Sequence, residues 1–266
     1  MKKILFVLVA LLICASVFAQ NDFSIKSGKL YRYTGRDAKV VIPSGVRKIE
    51  DDAFMGNTHI EDVVCPSSVY EIEERAFRGC TKLRSISMPG VSKIGDEAFM
   101  GCRSLTKLEF KSNLRSVDKR AFKDCVNLTS VSFNDSTIEI EEEVFDGCSK
   151  LTTVKLPRHL RKIEDRCFYQ CRSLQKINIP EGCEKIERGA FYGCSHLGKV
   201  ELNRSLREIE PEAFGNCNLK SVKIYDGCYR IAYNAFYANN TMVIYCQEGS
   251  EAQYYAEDNN IPYEFF

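Results

Sequence analysis

The chain has 266 residues, 27% of them charged, with 37 Lys and Arg against 36 Asp and Glu. A balance that even, with no basic or acidic block, speaks against nucleic acid or an anionic membrane surface as the partner. No low-complexity tract or shift of composition divides it into separate parts.

Residues 1–19 have the layout of a secretory signal peptide. Met1-Lys2-Lys3 supplies a basic start, Ile4 to Ile13 an apolar middle, and Ala15-Ser16-Val17-Phe18-Ala19 small residues before a cut after Ala19. The apolar run is too short to span a bilayer comfortably, and Ile13 before Cys14 does not suit a lipoprotein signal. Loss of Lys2 and Lys3 leaves 35 bases against 36 acids. The mature chain is expected to be secreted, periplasmic or at the cell surface, without membrane insertion. Residues 20–37 form an N-terminal cap, in which Ile25 to Tyr33 reads as a hairpin turning at Ser27-Gly28.

From residue 38 to 250 one unit recurs about nine times. Phenylalanine returns at Phe54, Phe77, Phe99, Phe122, Phe145, Phe168, Phe191, Phe214 and Phe236, in steps of 22 or 23 residues. A period of that size marks a solenoid, whose units bury their apolar faces only against each other. Three residues after Phe stands Cys80, Cys102, Cys125, Cys148, Cys171, Cys194 or Cys217, with Asn57 and Asn239 in the end repeats. Leucine follows at Leu83, Leu105, Leu128, Leu151, Leu174 and Leu197, then an apolar-x-apolar pair such as Ile86/Met88 or Val154/Leu156. Alternation with period two reads as a strand with one buried face, closed by prolines such as Pro66, Pro89 and Pro180. Four residues before Phe an acid recurs (Glu50, Glu73, Asp118, Glu141, Glu164, Glu187, Glu210), placed to cap the amides of a short helical turn. Gly56, Gly79, Gly101, Gly147 and Gly193 suit a left-handed exit from that turn. Residues 251–266 form the closing cap, begun by a short helix near Glu251 to Glu257.

The layout L-x-x-[VIL]-x-[LIFM]-P…I-x-x-x-A-F-x-x-C resembles the BspA-like, or Treponema-type, leucine-rich repeats over roughly residues 38–250. Local departures are Val144 and Cys167 for Ala, Lys111 and Asn134 for Pro, and Thr241 for Leu. The resemblance implies a right-handed β/α superhelix with a parallel β ladder on the concave face and short helical turns on the convex face. It also implies a bacterial adhesion protein attaching to host extracellular matrix or to other cells.

Seven cysteines on one repeat position stack in an interior file, where parallel Cβ vectors one strand apart suit a disulfide poorly. They are expected to be reduced, each packing as a small apolar residue with a weak donor. His59 and His196 hold the same repeat position six coils apart, about 29 Å by strand spacing, so they share no site. His159 lies at a corner beside Arg158 and Arg161. No catalytic dyad assembles from these residues. Cys167-x-x-x-Cys171 lacks further ligands on its coil, so neither metal nor cofactor is implied.

The remaining candidate is the solvent side of the strand ladder. Its two outward columns contain Ser85, Lys107, Ser130, Thr153, Lys176 and Lys199, and Ser87, Glu109, Ser132, Lys155, Asn178, Glu201 and Lys223. These thirteen residues are the expected binding surface, free to vary while their neighbours repeat. Lys155, Lys176, Lys199, Lys220 and Lys223 make its C-terminal half more basic, which suits an acidic protein or glycan. The expected function is non-enzymatic recognition of a protein partner; a structural role in the envelope, or glycan binding, is the competing reading.

Overall fold

A computed structural model describes residues 22–110 and 113–266; the leader expected at 1–19 lies outside the described residues. The chain winds into a solenoid, and the coils contribute short strands at two fixed places, all but the coil at Lys176–Ile179 and the last one supplying both. One ladder consists of three-residue strands, among them Asp62–Val64, Ser85–Ser87, Lys107–Glu109, Ser130–Ser132, Thr153–Lys155, Lys199–Glu201 and Ser221–Lys223. Pairing is parallel and in register: Asp62, Val63 and Val64 stand opposite Ser85, Ile86 and Ser87. The middle residue of each strand faces the core and its two neighbours face solvent, as a period of two requires.

A second ladder runs alongside, made of charged-apolar pairs: Lys48–Ile49, Glu71–Ile72, Lys93–Ile94, Ser116–Val117 and Glu139–Ile140, then Lys162–Ile163, Lys185–Ile186, Glu208–Ile209 and Arg230–Ile231. The sequence marks the isoleucine only as a second apolar anchor. Two residues are too few to display an alternation.

The Phe-bearing arc is built of chained tight turns, not of helix. Its amides alternate between two destinations. Ala53, Met55 and Asn57 donate three residues back, to Glu50, Asp52 and Phe54, while Asp52, Phe54 and Gly56 donate to Glu74, Ala76 and Arg78 of the next coil. A helix would spend all of these amides internally and leave the coils unlinked. The alternation needs left-handed residues two before and two after Phe: Asp52 (φ 59°) and Gly56 (φ 69°), then Arg75 (φ 54°) and Gly79 (φ 72°). Glycine meets the second demand without strain in five repeats, Asp124, Gln170, Asn216 and Ala238 in the others. Over the first eight repeats the first is met by Asp, Glu or Arg except at Gly189, at an expected cost of about 1 kcal/mol for each non-glycine.

Inside, the nine phenylalanines form one stack from Phe54 to Phe236, with successive centroids 4.6–5.8 Å apart and ring planes within 12°. The antiparallel hairpin of β1 (Phe23–Lys26) and β2 (Lys29–Tyr33) closes one end, setting Tyr33 5.2 Å from Phe54. Helix α1 (Glu251–Asp258), capped by Ser250, closes the other by turning Tyr255 edge-on to Phe236 at 5.8 Å.

The cysteine file lies beside the rings, and each thiol has a defined task. Cys80 donates to the carbonyl of Phe54 at 3.1 Å, Cys102 to Phe77 at 3.2 Å, and so on to Cys217 and Phe191 at 2.9 Å. In the end repeats, Asn57 and Asn239 donate through Nδ2 to Gly35 and Phe214. Asparagine and cysteine thus do the same job, linking each coil to the one before it. All twelve cysteines of the described residues are free and buried. Burial pushes the thiols of Cys65, Cys80, Cys183, Cys217 and Cys228 up to about 12.

Candidate functional site

The strand face brings the thirteen expected residues onto one surface. Ser85, Ser87, Lys107, Glu109, Thr153, Lys155, Lys176, Asn178, Lys199 and Glu201 are exposed, while Ser130, Ser132 and Lys223 are half-buried. They run in files because Ser130 pairs with Lys107 and Thr153, and Ser132 with Glu109 and Lys155. What the face can do therefore depends on where its charges are left uncompensated.

Most lysines of the neighbouring two-residue ladder are engaged. Lys29 pairs with Glu50 at 2.8 Å, Lys93 with Asp118 at 3.1 Å, and Lys185 with Glu187, Glu208 and Glu210 at 3.3, 3.3 and 2.9 Å. Lys48 bridges Glu71 and Glu73. Here the structure departs from the sequence reading: the acid four residues before Phe serves as counter-ion to a lysine of its own or the preceding coil, not as a cap for turn amides. Glu141 shows the rule by exception, because Ser116 stands where its lysine would be. Burial, then the nearby Glu164, raise its carboxyl above the usual range. A second charge pattern runs along the left-handed turn position, where Arg75 pairs with Asp52 at 2.8 Å and Arg120 with Glu97 at 3.0 Å.

On the strand face the situation is reversed. Lys155, Lys176 and Lys199 make no ion pair among the described residues, although their counterparts around the corner do. The ladder is interrupted twice, between Ser85–Ser87 and Lys107–Glu109 and again at the coil that Lys176 and Lys199 flank. The coil at Lys176–Ile179 forms no strand; a single bridge, Thr153 to Lys176, ties it to its predecessor, and the next strand begins at Lys199. Phe110, Phe133, Leu202 and Ile224 each donate an amide to the following coil at 2.9–3.0 Å, and neither Leu156 nor Ile179 makes that bond.

The cause is local. Gly198 has φ 59°, and Lys199 donates its amide back to Leu197 at 2.6 Å, a three-residue turn that withdraws it from the preceding coil. At the equivalent place Ser85 and Thr153 donate to Glu61 and Thr129 of the preceding coil, at 3.2 and 3.4 Å. The interruption opens a cleft of about 660 Å³. Its floor is Ile177, Ile179, Val200 and Leu202, and its rim carries Lys176, Asn178, Glu181, Lys199, Glu201, Arg204, Lys223, Tyr225 and Tyr245. Arg204 lies 4.5 Å from the Tyr225 ring centre and Lys223 5.1 Å, so that ring is occupied by cations on the rim itself. Tyr225 also donates to Glu201 at 3.0 Å, and Lys223 stands 3.8 Å from the same carboxylate.

The other titratable candidates are not drawn together. His196 engages the Arg172 carbonyl at 2.7 Å through Nδ1, and His59 belongs to a coil near the opposite end. The column thiols sit in the core, away from the strand face. Among the described residues no group of three His, Cys, Asp or Glu is placed to hold a metal ion, and no helix is long and apolar enough to cross a membrane. The cleft itself was missed from sequence, although Gly198 carried a signal: an isolated glycine beside a strand marks a bulge or a local diversion of the backbone.

A model of the BspA type leucine rich repeat region matches the chain in six copies, over residues 25–137 and 115–243. A leucine-rich repeat protein of T. pallidum shares 32% identity at a TM-score of 0.61, over 66% of this chain and 86% of that one. A leucine-rich repeat protein from Bacteroides ovatus superimposes at a TM-score of 0.71 with 23% identity, over 92% of this chain and 74% of that one. No curated protein sequence matches.

Proposed function

The chain belongs to the BspA-type leucine-rich repeat family, and on that footing we propose that it is an exported, non-enzymatic adhesion module. Its strand face engages a protein partner, of the host matrix or cell surface by the family's expectation. The observation that carries this reading is the set of uncompensated cations Lys155, Lys176 and Lys199, on a face whose buried positions repeat while its exposed positions vary. A merely soluble sheet would gain by pairing those charges, as the adjacent ladder does. Left open, they give a rigid curved surface a local positive potential, which steers and orients an acidic partner.

The test is capture of matrix and serum proteins on purified residues 20–266, repeated with Lys155, Lys176 and Lys199 changed to Glu. Specific retention of a protein that the triple variant fails to hold supports the reading. Retention unchanged by the three reversals, or binding confined to glycans on an array, overturns it.

A further inference from the structure

We propose that the cleft at the ladder interruption is a docking site for an extended acidic peptide segment in which carboxylates alternate with apolar side chains. The inference rests on the adhesion reading and names the chemistry of its contact. Three independent features of the cleft select that ligand.

The first is charge. Lys176 and Lys199 stand on successive coils, on either side of the interruption, and neither makes an ion pair among the described residues. Glu201 is engaged by Tyr225 and Lys223, and Arg204 covers the Tyr225 ring, which leaves the two lysines as the open charges and Glu181 as the opposing one. The second is an apolar floor reached between the coils. Ile177, Ile179, Val200 and Leu202 line it, and the first three are 5–7% exposed. The third is open main chain. The Ile179 amide lacks the cross-coil bond that Leu202 and Ile224 make. A ligand that offers carboxylates, small apolar groups and amide or carbonyl partners at once is an extended peptide, since a strand presents alternate side chains to opposite sides. An acidic glycan would satisfy the lysines, but would leave the apolar floor without a partner.

The probe is a fluorescein-labelled twelve-residue peptide of alternating Glu and Val, titrated into the purified chain by anisotropy at 50 and 200 mM NaCl. Expected is saturable binding that weakens at the higher salt and falls at least tenfold for the Lys176→Glu/Lys199→Glu variant. Both lysines are exposed, so the variant should keep the wild-type circular dichroism. Replacing Val by Ser, or N-methylating alternate amides of the peptide, should each weaken binding several-fold. Equal affinity for wild type and variant, equal affinity of the Ser and N-methylated peptides, or tighter binding of heparin or hyaluronan oligosaccharides than of the peptide would overturn the assignment. If matrix-protein capture persists in Lys176→Glu/Lys199→Glu but is lost when Lys155 alone is reversed, this cleft is refuted while the strand-face reading stands.

Discussion

Mild alkali should unfold this protein well before its lysines and tyrosines lose their protons. Burial pushes the ionisation of eleven core thiols well up, those of Cys65, Cys80, Cys183, Cys217 and Cys228 to about 12. In the unfolded chain a cysteine ionises near 8.5. Between those values the unfolded chain releases protons that the folded chain retains, so stability is whole below about pH 8 and falls as pH rises. Linkage puts the loss at about 0.4 kcal/mol per thiol at pH 8.5 and about 1.4 kcal/mol at pH 9.5. Eleven together then cost roughly 15 kcal/mol at pH 9.5, as much as the whole stability of a typical domain. The assay is far-UV circular dichroism from pH 7 to 11 with a phosphine reductant present, together with the urea midpoint at pH 7.5, 8.5 and 9.25. A cooperative transition between about pH 9 and 10, and a midpoint already reduced at 8.5, are expected from these shifts. A midpoint flat from 7.5 to 9.25, or a fold that survives past pH 10.5, would refute the reasoning.

Other consequences follow from the same packing. Phe145→Ala removes a ring stacked on both Phe122 and Phe168, at 5.8 and 5.5 Å. It should cost about 4 kcal/mol or more in urea unfolding, and more than Phe236→Ala at the end of the stack; a loss under about 2 kcal/mol would contradict the continuous ring file. Asn239 donates to Phe214 and accepts from the Leu219 amide. Asn239→Ala should therefore cost about 1–3 kcal/mol, and Asn239→Cys, which keeps a donor, should recover part of it; no difference between the two would count against the shared role of Asn and Cys. Lys185→Met should cost about 1 kcal/mol or less, because the ion pairs around it remain open to water; a loss several times larger would show the charged ladder to be a main source of stability.

Much of this architecture is legible in the sequence because repetition multiplies weak signals. One Phe at one spacing means little, whereas nine in step fix which residues stack, and the cysteines inherit their interior position from the same register. The turn arc is harder to read. Arg75, Glu97, Arg120 and Glu143 adopt positive φ, and nothing in an arginine or glutamate announces that. Their backbone is set by cross-coil hydrogen bonds, a tertiary demand that outweighs the residue's own preference. The carboxylates before Phe were read as local caps for a related reason: their true partners are lysines that coiling places beside them, many more than four residues away in most cases. The strand-face residues fall where alternation puts them. Which of those lysines lack a counter-ion, and that Gly198 opens the ladder between two of them, emerges only when neighbouring coils are laid side by side.

Alkylation of the folded chain at pH 7.5, read by peptide mass spectrometry, tests the stacked-coil account most directly. Residues 22–266 hold twelve cysteines. Iodoacetamide should modify none of them in the folded protein within an hour, and all twelve after denaturation without reductant. Adducts on Cys125, Cys148 or Cys171 in the folded chain, or a shortfall after denaturation caused by cross-links, would mean that the thiols do not form the interior file on which the rest depends.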